Sequence, residues 1–422
     1  MTPEIKHRIE KIRRGNVPDG YKKTKAGILP ADWDVHMLGE CLSRVEKPVE
    51  VKPNKLYTQI GIRSHGKGIF YKEPVTGAAL GNKSVFWIEP DCFIVNIVFA
   101  WEQAIGKTTQ SEVGMIGSHR FPMYRPVNDR VDIDYLISYF LTKRGTDILE
   151  AASPGGAGRN KTLGQERFLK SKIVLPPIEE QQKIAAILTT QDRVIELKEK
   201  RLAEKRRQKR YLMQQLLTGK KRLPGFSGAW EKEKLGKCAS MCSGGTPDTK
   251  NEKYYGNDYI WISIKDMTSA GKYICSSERG LTEAGLLNCS ARLFPKGTIL
   301  FAMYASIGEC SIAETECCSS QAILGIEPDS KLNNEFLYYL LSNSKGYFKS
   351  FGQASSQPNL NKDIVQSIVV QIPEIEEQAA IAEVLSAADR EINLLRQDIE
   401  QEKQKKKALM QLLLTGIVRV TV

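Results

Sequence analysis

The chain repeats itself at a fixed offset of 197 residues. The segment Leu175-Pro176-Pro177-Ile178-Glu179-Glu180-Gln181 returns as Ile372-Pro373-Glu374-Ile375-Glu376-Glu377-Gln378, and Leu216-Leu217-Thr218-Gly219 returns as Leu413-Leu414-Thr415-Gly416. Trp33, Leu38, Gly39 and Cys41 likewise return as Trp230, Leu235, Gly236 and Cys238. Solenoid repeats have periods of roughly 20 to 50 residues, so this longer period indicates a duplicated domain pair. The duplication gives one polypeptide approximate two-fold symmetry, which suits a two-fold symmetric partner.

Each copy ends in a segment that is predicted to be one long helix. Pro176-Pro177 and Pro373 precede these segments, where proline suits a first helical turn, and acidic residues follow that favour the positive helix end. Gly219 and Gly416 follow the last apolar residues as C-terminal caps. The signals predict two helices of about 42 residues, each about 60 Å long at 1.5 Å per residue.

Both predicted helices carry an apolar seam at seven-residue spacing in the same register. The rows are Leu188, Ile195, Leu202 and Leu216 in one helix, and Leu385, Ile392, Ile399 and Leu413 in the other. A narrow seam of this kind is typical of a two-helix coiled coil, so the helices are predicted to pair antiparallel. The alternative is two separate solvated helices at domain edges. Tyr211 and Met213 lie off the seam and leave surface for a protein partner.

The predicted fold class is α+β, with two globular α/β domains joined by the two helices in a pseudo-two-fold repeat. The predicted boundaries are a basic N-terminal segment at 1–32, globular domains at 33–175 and 223–372, and helices at 176–222 and 373–419. The runs 93–99 and 297–302 have strand composition, whereas 134–141 and 335–341 have the pattern of short helices.

Composition indicates a cytoplasmic protein with a polyanionic partner. No apolar run approaches the roughly 18 residues of a membrane span, the N-terminus lacks a signal peptide, and the nine scattered cysteines favour free thiols. The net charge is +12, but it is uneven: residues 177–222 have 13 Lys/Arg against 6 Asp/Glu, whereas 374–419 have 7 against 9. The globular parts carry little of the excess, so they are expected to contact nucleic acid through a few well placed cations.

A series of motifs in the second half resembles one known family. The motifs are Gly244-Gly245-Thr246-Pro247, Tyr254-Tyr255, Trp261-Ile262, Leu293-Phe294-Pro295-Lys296-Gly297, Ile307-Gly308, Phe336-Leu337-Tyr338-Tyr339, Asn359-Leu360-Asn361 and Pro373-Glu374-Ile375-Glu376-Glu377-Gln378. Together they resemble the target recognition domain and conserved helix of type I restriction-modification specificity (S) subunits. The resemblance covers nearly the whole chain, although the first globular part lacks Gly-Gly-Thr-Pro after Leu38-Gly39.

The resemblance implies a sequence-specific DNA-binding subunit without catalysis of its own. Each target recognition domain would read one half of a bipartite target in double-stranded DNA, and the helices would set the gap. The subunit would dock two methyltransferase subunits and, through them, restriction/translocase subunits. No cofactor is expected on this chain, whereas the partner subunits are expected to use S-adenosylmethionine, ATP and Mg²⁺. Alternatives are the specificity subunit of a bifunctional or modification-only system, a nonspecific nucleic-acid-binding coiled-coil scaffold, or an autonomous enzyme.

A basic glycine-rich segment in the first globular part is the first candidate DNA contact. Residues 61–68 nearly match a nucleotide-binding P-loop, but Gly68 occupies the position of the Mg²⁺-ligating hydroxyl and no apolar helix follows. Contact with DNA is the preferred function, with Arg63 suited to guanine and Lys67 to phosphate. A solvated turn is the alternative.

Two flexible polar loops precede the long helices and supply further candidates. They are 155–161, with Arg159, Asn160 and Lys161, and 352–359, with Gln357 and Asn359. Plain connecting loops are the alternative. Lys250, Lys253 and Lys265 surround Tyr254-Tyr255 and Trp261, and are candidates for phosphate contact, whereas the aromatic residues themselves are predicted to belong to the core. No Cys/His cluster has zinc spacing, and no methyl-transfer or phosphodiesterase motif is visible.

Overall fold

The computed structural model describes residues 2–25, 27–155, 161–352 and 360–420. The chain divides into two compact units. Unit 1 comprises Met1–Glu199 and Asp398–Val422, and unit 2 comprises Lys200–Gln397. Each unit therefore contains one globular part and a portion of each long helix. Within the described parts of the chain, no helix combines the length and apolar composition that crossing a bilayer requires.

The globular part of unit 1 consists of short strands and helices. Its helices are α1 (Pro3–Arg13), α2 (Leu38–Cys41), α3 (Gly77–Leu80), α4 (Ile133–Phe140), α5 (Lys143–Ala151) and α6 (Gln165–Lys170). Its strands are β1 (Tyr21–Thr24), β2 (Gly27–Pro30), β3 (Asp34–Met37), β4 (Leu42–Val45), β5 (Leu56–Tyr57), β6 (Ile60–Ile62), β7 (Ile69–Tyr71), β8 (Val75–Thr76), β9 (Val85–Trp87), β10 (Phe93–Val95), β11 (Ile105–Lys107), β12 (Ile116–Ser118), β13 (Met123–Pro126) and β14 (Lys172–Leu175). The largest sheet has the order β11-β10-β13-β4 and is antiparallel.

Helix α7 (Ile178–Leu216) follows, and the globular part of unit 2 comes next. Its helices are α8 (Leu235–Cys238), α9 (Ile264–Ala270), α10 (Glu283–Leu287), α11 (Asn334–Asn343), α12 (Lys345–Gly352) and α13 (Lys362–Ser367). Its strands are β15 (Glu231–Lys234), β16 (Ala239–Ser243), β17 (Tyr255–Gly256), β18 (Tyr259–Ile262), β19 (Tyr273–Ile274), β20 (Gly280–Leu281), β21 (Ile299–Ala302), β22 (Cys310–Ala313), β23 (Cys318–Ser319), β24 (Ile323–Pro328) and β25 (Val369–Ile372). Helix α14 (Ile375–Leu413) ends the series.

Two sheets organise unit 2. A five-stranded sheet has the order β16-β24-β21-β22-β19, and a four-stranded sheet has the order β17-β20-β18-β23. Parallel pairs, β18 with β23 and β19 with β22, occur alongside antiparallel ones. The mixed α/β architecture predicted from the sequence is confirmed. The short helices predicted over 134–141 and 335–341 are α4 and α11, while the strand expected at 93–99 is shorter than predicted.

That strand ends at Val95 because Asn96 starts a turn. The Asn96 side-chain oxygen accepts a hydrogen bond from the Val98 amide, and the Asn96 carbonyl accepts one from the Phe99 amide. These local bonds replace the ladder bonds that an apolar run of this length predicts. The two long helices are also shorter than expected, at 39 residues each rather than about 42.

The long helices belong to the cores of the units that they enter. In unit 1, Ile184 and Leu188 of α7 pack with Leu413 of α14 in the core that contains Phe93 and Phe140. In unit 2, Leu216 belongs to the same core as Ile381 and Leu385 of α14. The predicted seam residues are buried with one exception, since Leu202 is half-buried. The seam therefore continues the core of each unit along the helices.

Charged pairs join the two helices within each unit. In unit 1, Lys198 Nζ lies 2.8 Å from Asp398 and 2.9 Å from Glu402, and Lys406 pairs with Asp192 at 2.5 Å. In unit 2, Lys205 pairs with Glu391 at 2.9 Å, and Lys209 with Asp389 at 2.5 Å. The partner numbers fall along α14 as the numbers rise along α7, so the paired segments run in opposite directions.

The repeated Ile-Glu-Glu-Gln motif forms the same buried joint in both units. In unit 1, Glu180 is fully buried and accepts hydrogen bonds from Trp33 Nε1 at 3.0 Å and from Arg419 Nε at 2.8 Å. In unit 2, Glu377 accepts them from Trp230 Nε1 at 3.2 Å and from Arg222 Nε at 2.6 Å. Such charge-assisted bonds keep a buried carboxylate satisfied.

The glutamine of the motif has an equally specific function. In unit 1, the Gln181 side chain accepts a hydrogen bond from the Asp132 amide and donates to the carbonyls of Arg130 and Pro176. Gln378 repeats this pattern in unit 2 with the Asn333 amide and the carbonyls of Lys331 and Pro373. Asp132 and Asn333 cap α4 and α11, so the glutamine fixes a globular helix to a long one.

Candidate nucleic-acid interface

The glycine-rich segment of unit 1 is a β-hairpin. Strands β6 and β7 pair antiparallel, with Gly61 opposite Phe70. A Cβ atom on Gly61 would lie 2.3 Å from the Phe70 ring, so glycine is required for the ring to cover this strand. Because a strand rather than a helix follows the loop, the phosphate-binding P-loop is excluded here, as the sequence predicted.

The tip of this hairpin is held against the turn that contains Trp101 and Glu102. The amides of His65 and Gly66 donate to the carbonyls of Glu102 and Gln103 at 2.8 and 2.9 Å. His65 and Gly66 both have positive φ angles, so the tip is a tight, fixed turn. The hairpin tip therefore has a fixed position in the unit.

Arg63 and Lys67 are both exposed on this hairpin. The Arg63 guanidinium lies over the Phe70 ring, 4.9 Å from its centroid. Lys161, from the loop before α6, lies 5.3 Å from the centroid of Trp101 in the turn that holds the hairpin tip. The structure thus brings all three cations to one region of unit 1. Arg159 and Asn160 lie outside the described residues.

In unit 2, the two glycines of Gly244-Gly245-Thr246-Pro247 permit close backbone packing. A Cβ on Gly244 would lie 2.2 Å from the Ser319 carbonyl oxygen, and one on Gly245 would lie 2.2 Å from the Ala291 nitrogen. The Gly245 carbonyl accepts a hydrogen bond from Trp261 Nε1 at 2.9 Å. The motif is therefore a packing element beneath the four-stranded sheet.

The aromatic residues around this motif form a connected group. Trp261 is buried, as predicted, and meets Tyr255 edge to face with centroids 6.1 Å apart. The Tyr255 hydroxyl donates to the Pro247 carbonyl at 3.1 Å. The Arg279 guanidinium lies over the Tyr255 ring, with its central carbon 3.9 Å from the ring centroid.

Three predicted lysines surround this group with different partners. Lys250 and Lys253 are exposed on a turn that the side chains of Asp248 and Asn251 stabilise through backbone amides. Lys265 is also exposed, but it pairs with Glu278 at 2.5 Å, so its charge is partly offset. The Glu278 carboxylate raises the pKa of Lys265. Gln357 and Asn359 lie outside the described residues.

A buried polar cluster fixes unit 2 on the long helices and was not predicted from the sequence. Lys272 Nζ donates to Glu335, to the Tyr339 hydroxyl at 2.8 Å and to the Ser386 hydroxyl at 2.8 Å. Burial lowers the pKa of Lys272. Because Ser386 belongs to α14 and Glu335 to α11, the ammonium joins the globular part of the unit to its helical part.

Six of the nine cysteines are buried. All nine cysteines are free, as predicted, and burial raises the pKa of Cys317 to about 12. Among the residues that the structure describes, no group of three or more His, Cys, Asp or Glu side chains has the arrangement of a metal site.

The joints and the contact of Arg279 with Tyr255 were the main structural features that sequence reasoning missed. The sequence contains a signal for the joint, because Trp33, Glu180 and Arg222 each return at the 197-residue offset. Arg279 had none, since neither a repeat nor a spacing rule links it to Tyr255. Its position depends on the pairing of β20 with β17.

Comparison with known proteins agrees with the sequence motifs. Residues 73–205 and 228–404 match the family described as type I restriction modification DNA specificity domain. The chain is 25% identical to a putative type I restriction enzyme MjaX specificity subunit of Methanocaldococcus jannaschii, over 95% of this chain and 97% of that one. It is 33% identical to the MjaIX specificity subunit of the same organism, but this match covers 43% of this chain and 41% of the relative.

Solved structures share the fold. The HsdS subunit from Thermoanaerobacter tengcongensis aligns with a TM-score of 0.52 at 19% identity, covering 92% of this chain and 98% of that one. The type I restriction-modification S subunit from M. genitalium aligns with a TM-score of 0.57 at 13% identity, covering 92% and 97%. Because the family match extends over both repeats and more than half of the sequence, the chain belongs to the type I restriction-modification specificity subunits and serves DNA sequence specificity.

Proposed function

We propose that each unit reads one half of a bipartite DNA target and that the paired long helices set the gap between the halves. The observation that carries this proposal is the repetition of one joint, Glu180 with Trp33 and Arg419 in unit 1, and its counterpart in unit 2. Two units that share this joint but differ in their surfaces are suited to bind two different DNA sequences. The chain itself performs no catalysis in this proposal.

The reading surface of unit 1 is centred on the β6–β7 hairpin. Arg63 suits a base edge because a guanidinium can donate two parallel hydrogen bonds to guanine O6 and N7. Lys67 and Lys161 supply phosphate contacts that fix the position of the unit on DNA. Arg159 and Asn160, which precede Lys161 in the sequence, are proposed as further DNA contacts of unit 1.

The reading surface of unit 2 contains Lys250 and Lys253 as phosphate contacts. Both are exposed, and neither forms an ion pair within the described parts of the chain. Lys265 contributes less, because Glu278 already offsets its charge. Gln357 and Asn359, which precede α13 in the sequence, are proposed as further DNA contacts of unit 2.

The long helices form an antiparallel coiled coil in this proposal. The buried seam and the opposite direction of the charged pairs within each unit support it. The exposed remainder of the helices, including Tyr211, docks two methyltransferase subunits, through which restriction/translocase subunits assemble. These partners use S-adenosylmethionine, ATP and Mg²⁺, and the chain binds none of them itself.

Phosphate interference mapping tests whether the units read separate halves. The full chain is assembled with its methyltransferase subunits on target DNA, and Lys161→Ala is compared with Lys253→Ala. Each variant should lose a phosphate contact in a different half-site and lower the salt slope of binding by about 1. Lys232→Ala, an exposed lysine on β15, is the control. Loss of contacts in the same half-site for both variants would contradict the proposal.

A matched insertion tests the helices as a spacer. One heptad is inserted after residue 199 and another after residue 397, which keeps the seam in register on both helices. Seven residues add about 10 Å, so the preferred gap should lengthen by about three base pairs at 3.4 Å each. Insertion in one helix alone is the control and should abolish specific binding. An unchanged gap with both insertions would refute the spacer function.

A further inference from the structure

Four arginines of the described structure lie over aromatic rings, and their other contacts divide them into two classes. Arg8 lies over Tyr21 and donates to the Ile417 carbonyl. Arg222 lies over Trp230 and pairs with Glu377. Each of these two arginines therefore donates to an acceptor inside the protein.

Arg63 and Arg279 form the second class. Arg63 lies over Phe70 in unit 1, and Arg279 lies over Tyr255 in unit 2. Both side chains are exposed, and within the described residues neither guanidinium donates a hydrogen bond or forms an ion pair. Each unit thus has one exposed guanidinium that lies over an aromatic ring and donates no hydrogen bond to a described residue.

We infer that Arg279, stacked on Tyr255, is a specificity-determining residue of unit 2 that reads a guanine in the half-site of that unit. This inference rests on the proposed function of the two units. A guanidinium stacked on a ring keeps its planar edge free, and that edge matches guanine O6 and N7 in the major groove. Stacking also restricts the side chain before binding, which reduces the entropy lost on contact.

The platform under Arg279 is itself rigid. The Tyr255 hydroxyl is fixed on the Pro247 carbonyl, and its ring packs against Trp261, which is fixed on the Gly245 carbonyl. The motif residues that pack beneath the sheet therefore also orient the guanidinium. Tyr255 is a positioning residue, whereas Arg279 makes the contact.

The neighbourhood of Arg279 agrees with a DNA contact. Lys253, whose carbonyl accepts a hydrogen bond from the Thr282 hydroxyl, precedes Tyr255 by two residues, so it lies beside the same strand pair. Glu278, the adjacent carboxylate, pairs with Lys265 and leaves Arg279 without an acidic partner. A phosphate-binding lysine beside a base-reading arginine is a common division of function at such interfaces.

The test uses the full chain assembled with its methyltransferase subunits and a duplex library randomised in both half-sites. Arg279→Ala should reduce discrimination for guanine at one position of one half-site by roughly 5- to 150-fold, and should leave the other half-site unchanged. Arg279→Lys should lose the same discrimination while keeping overall affinity, because lysine retains the charge without the planar fork.

Variants of the platform separate positioning from contact. Tyr255→Leu should lose part of the discrimination, and Tyr255→Phe should retain most of it because the ring remains. Arg292→Ala, an exposed arginine of the same unit that lies over no ring, is the control for loss of charge. Thermal unfolding of each variant checks that the unit stays folded.

The outcomes distinguish this inference from the proposed function. Full guanine discrimination in Arg279→Ala, or an equal loss of affinity for all sequences, would overturn the reading function of Arg279 while the half-site assignment stands. If the wild-type complex selected no bipartite sequence, the proposed function would fail. Loss at one position of one half-site, repeated in Arg279→Lys, supports the inference.

Discussion

The two units share a joint and differ in what surrounds it. In both, a buried glutamate binds a tryptophan from the start of a globular part and an arginine that follows the end of a long helix. The sheets differ, since unit 1 has an antiparallel four-stranded sheet and unit 2 has a mixed five-stranded one. The comparison indicates that the two copies retained the contacts of the joint, whereas their sheets and surfaces diverged.

The region beside each joint shows the same divergence. In unit 1, the Lys406–Asp192 pair lines a cavity of about 910 Å³ together with Tyr139 and Met410. In unit 2, the matching Lys209–Asp389 pair is covered by Tyr339, whose hydroxyl donates to Asp389 at 2.7 Å. Lys272 adds a further contact with α14 by donating a hydrogen bond to the Ser386 hydroxyl. Unit 2 is therefore more tightly fixed to its helices than unit 1.

The largest expected effect comes from removing the joints. Glu180→Ala and Glu377→Ala each remove a buried carboxylate that accepts from a tryptophan N–H and from a half-buried arginine, so each should lower the free energy of unfolding by about 3 kcal/mol. Urea unfolding measures this, and the two losses should be similar because the joints are alike. Glu179→Ala and Glu376→Ala, which alter exposed neighbours, are the matched controls. A strongly unequal loss would contradict the equivalence of the two joints.

An intermediate effect should distinguish the units at their lysine–carboxylate pairs. Lys272→Met should lower the free energy of unfolding by about 2 kcal/mol, because Lys272 is largely buried while its partner Glu335 is about one-third exposed. Lys107→Met in unit 1 should cost less than about 1 kcal/mol, since Lys107 and Asp134 are both partly exposed. Thermal unfolding compares them, and equal costs would contradict the larger stabilisation expected from the more deeply buried lysine of unit 2.

The smallest expected effect is a loss of stability at acid pH that involves Glu402 in the helix pair of unit 1. Hydrogen bonds from Gln191 and Lys198 lower the pKa of Glu402 to about 2 from an ordinary 4.5. A lowered carboxylate pKa stabilises the folded state above pH 4.5, and this stabilisation is lost as the pH falls towards 2. Unit 2 has Lys205 at the matching position, so this dependence belongs to unit 1.

Glu402→Gln measures that contribution. The difference in urea midpoint between wild type and Glu402→Gln should be present at pH 6 and should shrink as the pH falls below 4.5. Glu400→Gln, an exposed residue of the same helix, should show no such trend. A constant difference from pH 6 to pH 2.5 would argue against the lowered pKa.

Local signals were sufficient for the helices and insufficient for the short strands. Proline, acidic residues and glycine mark the ends of α7 and α14 within a few residues, because helix capping depends on neighbours in the chain. The run from Phe93 was predicted too long, since periodicity does not reveal that the Asn96 side chain closes a turn. Strands of two to five residues depend on partners that are distant in sequence.

For the same reason, the candidate DNA-contact residues could be predicted from the sequence only in part. Arg63 and Lys67 were predicted as DNA contacts because glycines mark their turn, and the structure shows that both side chains are exposed. The ion pair of Lys265 with Glu278 could not be predicted, because Glu278 comes from a segment thirteen residues away. The contact of Arg279 with Tyr255 was missed because it depends on strand pairing that the sequence pattern does not show.

The sequence by itself determined the duplication, the two long helices, their apolar seam and the family, because these depend on periodicity and on residues close together in the chain. Tertiary structure decided how Trp33 meets Glu180 across 147 residues, how Lys272 reaches α14, and how Arg279 comes to lie on Tyr255. Such contacts form where separate elements pack, and their geometry depends on strand pairing and burial that no local pattern records.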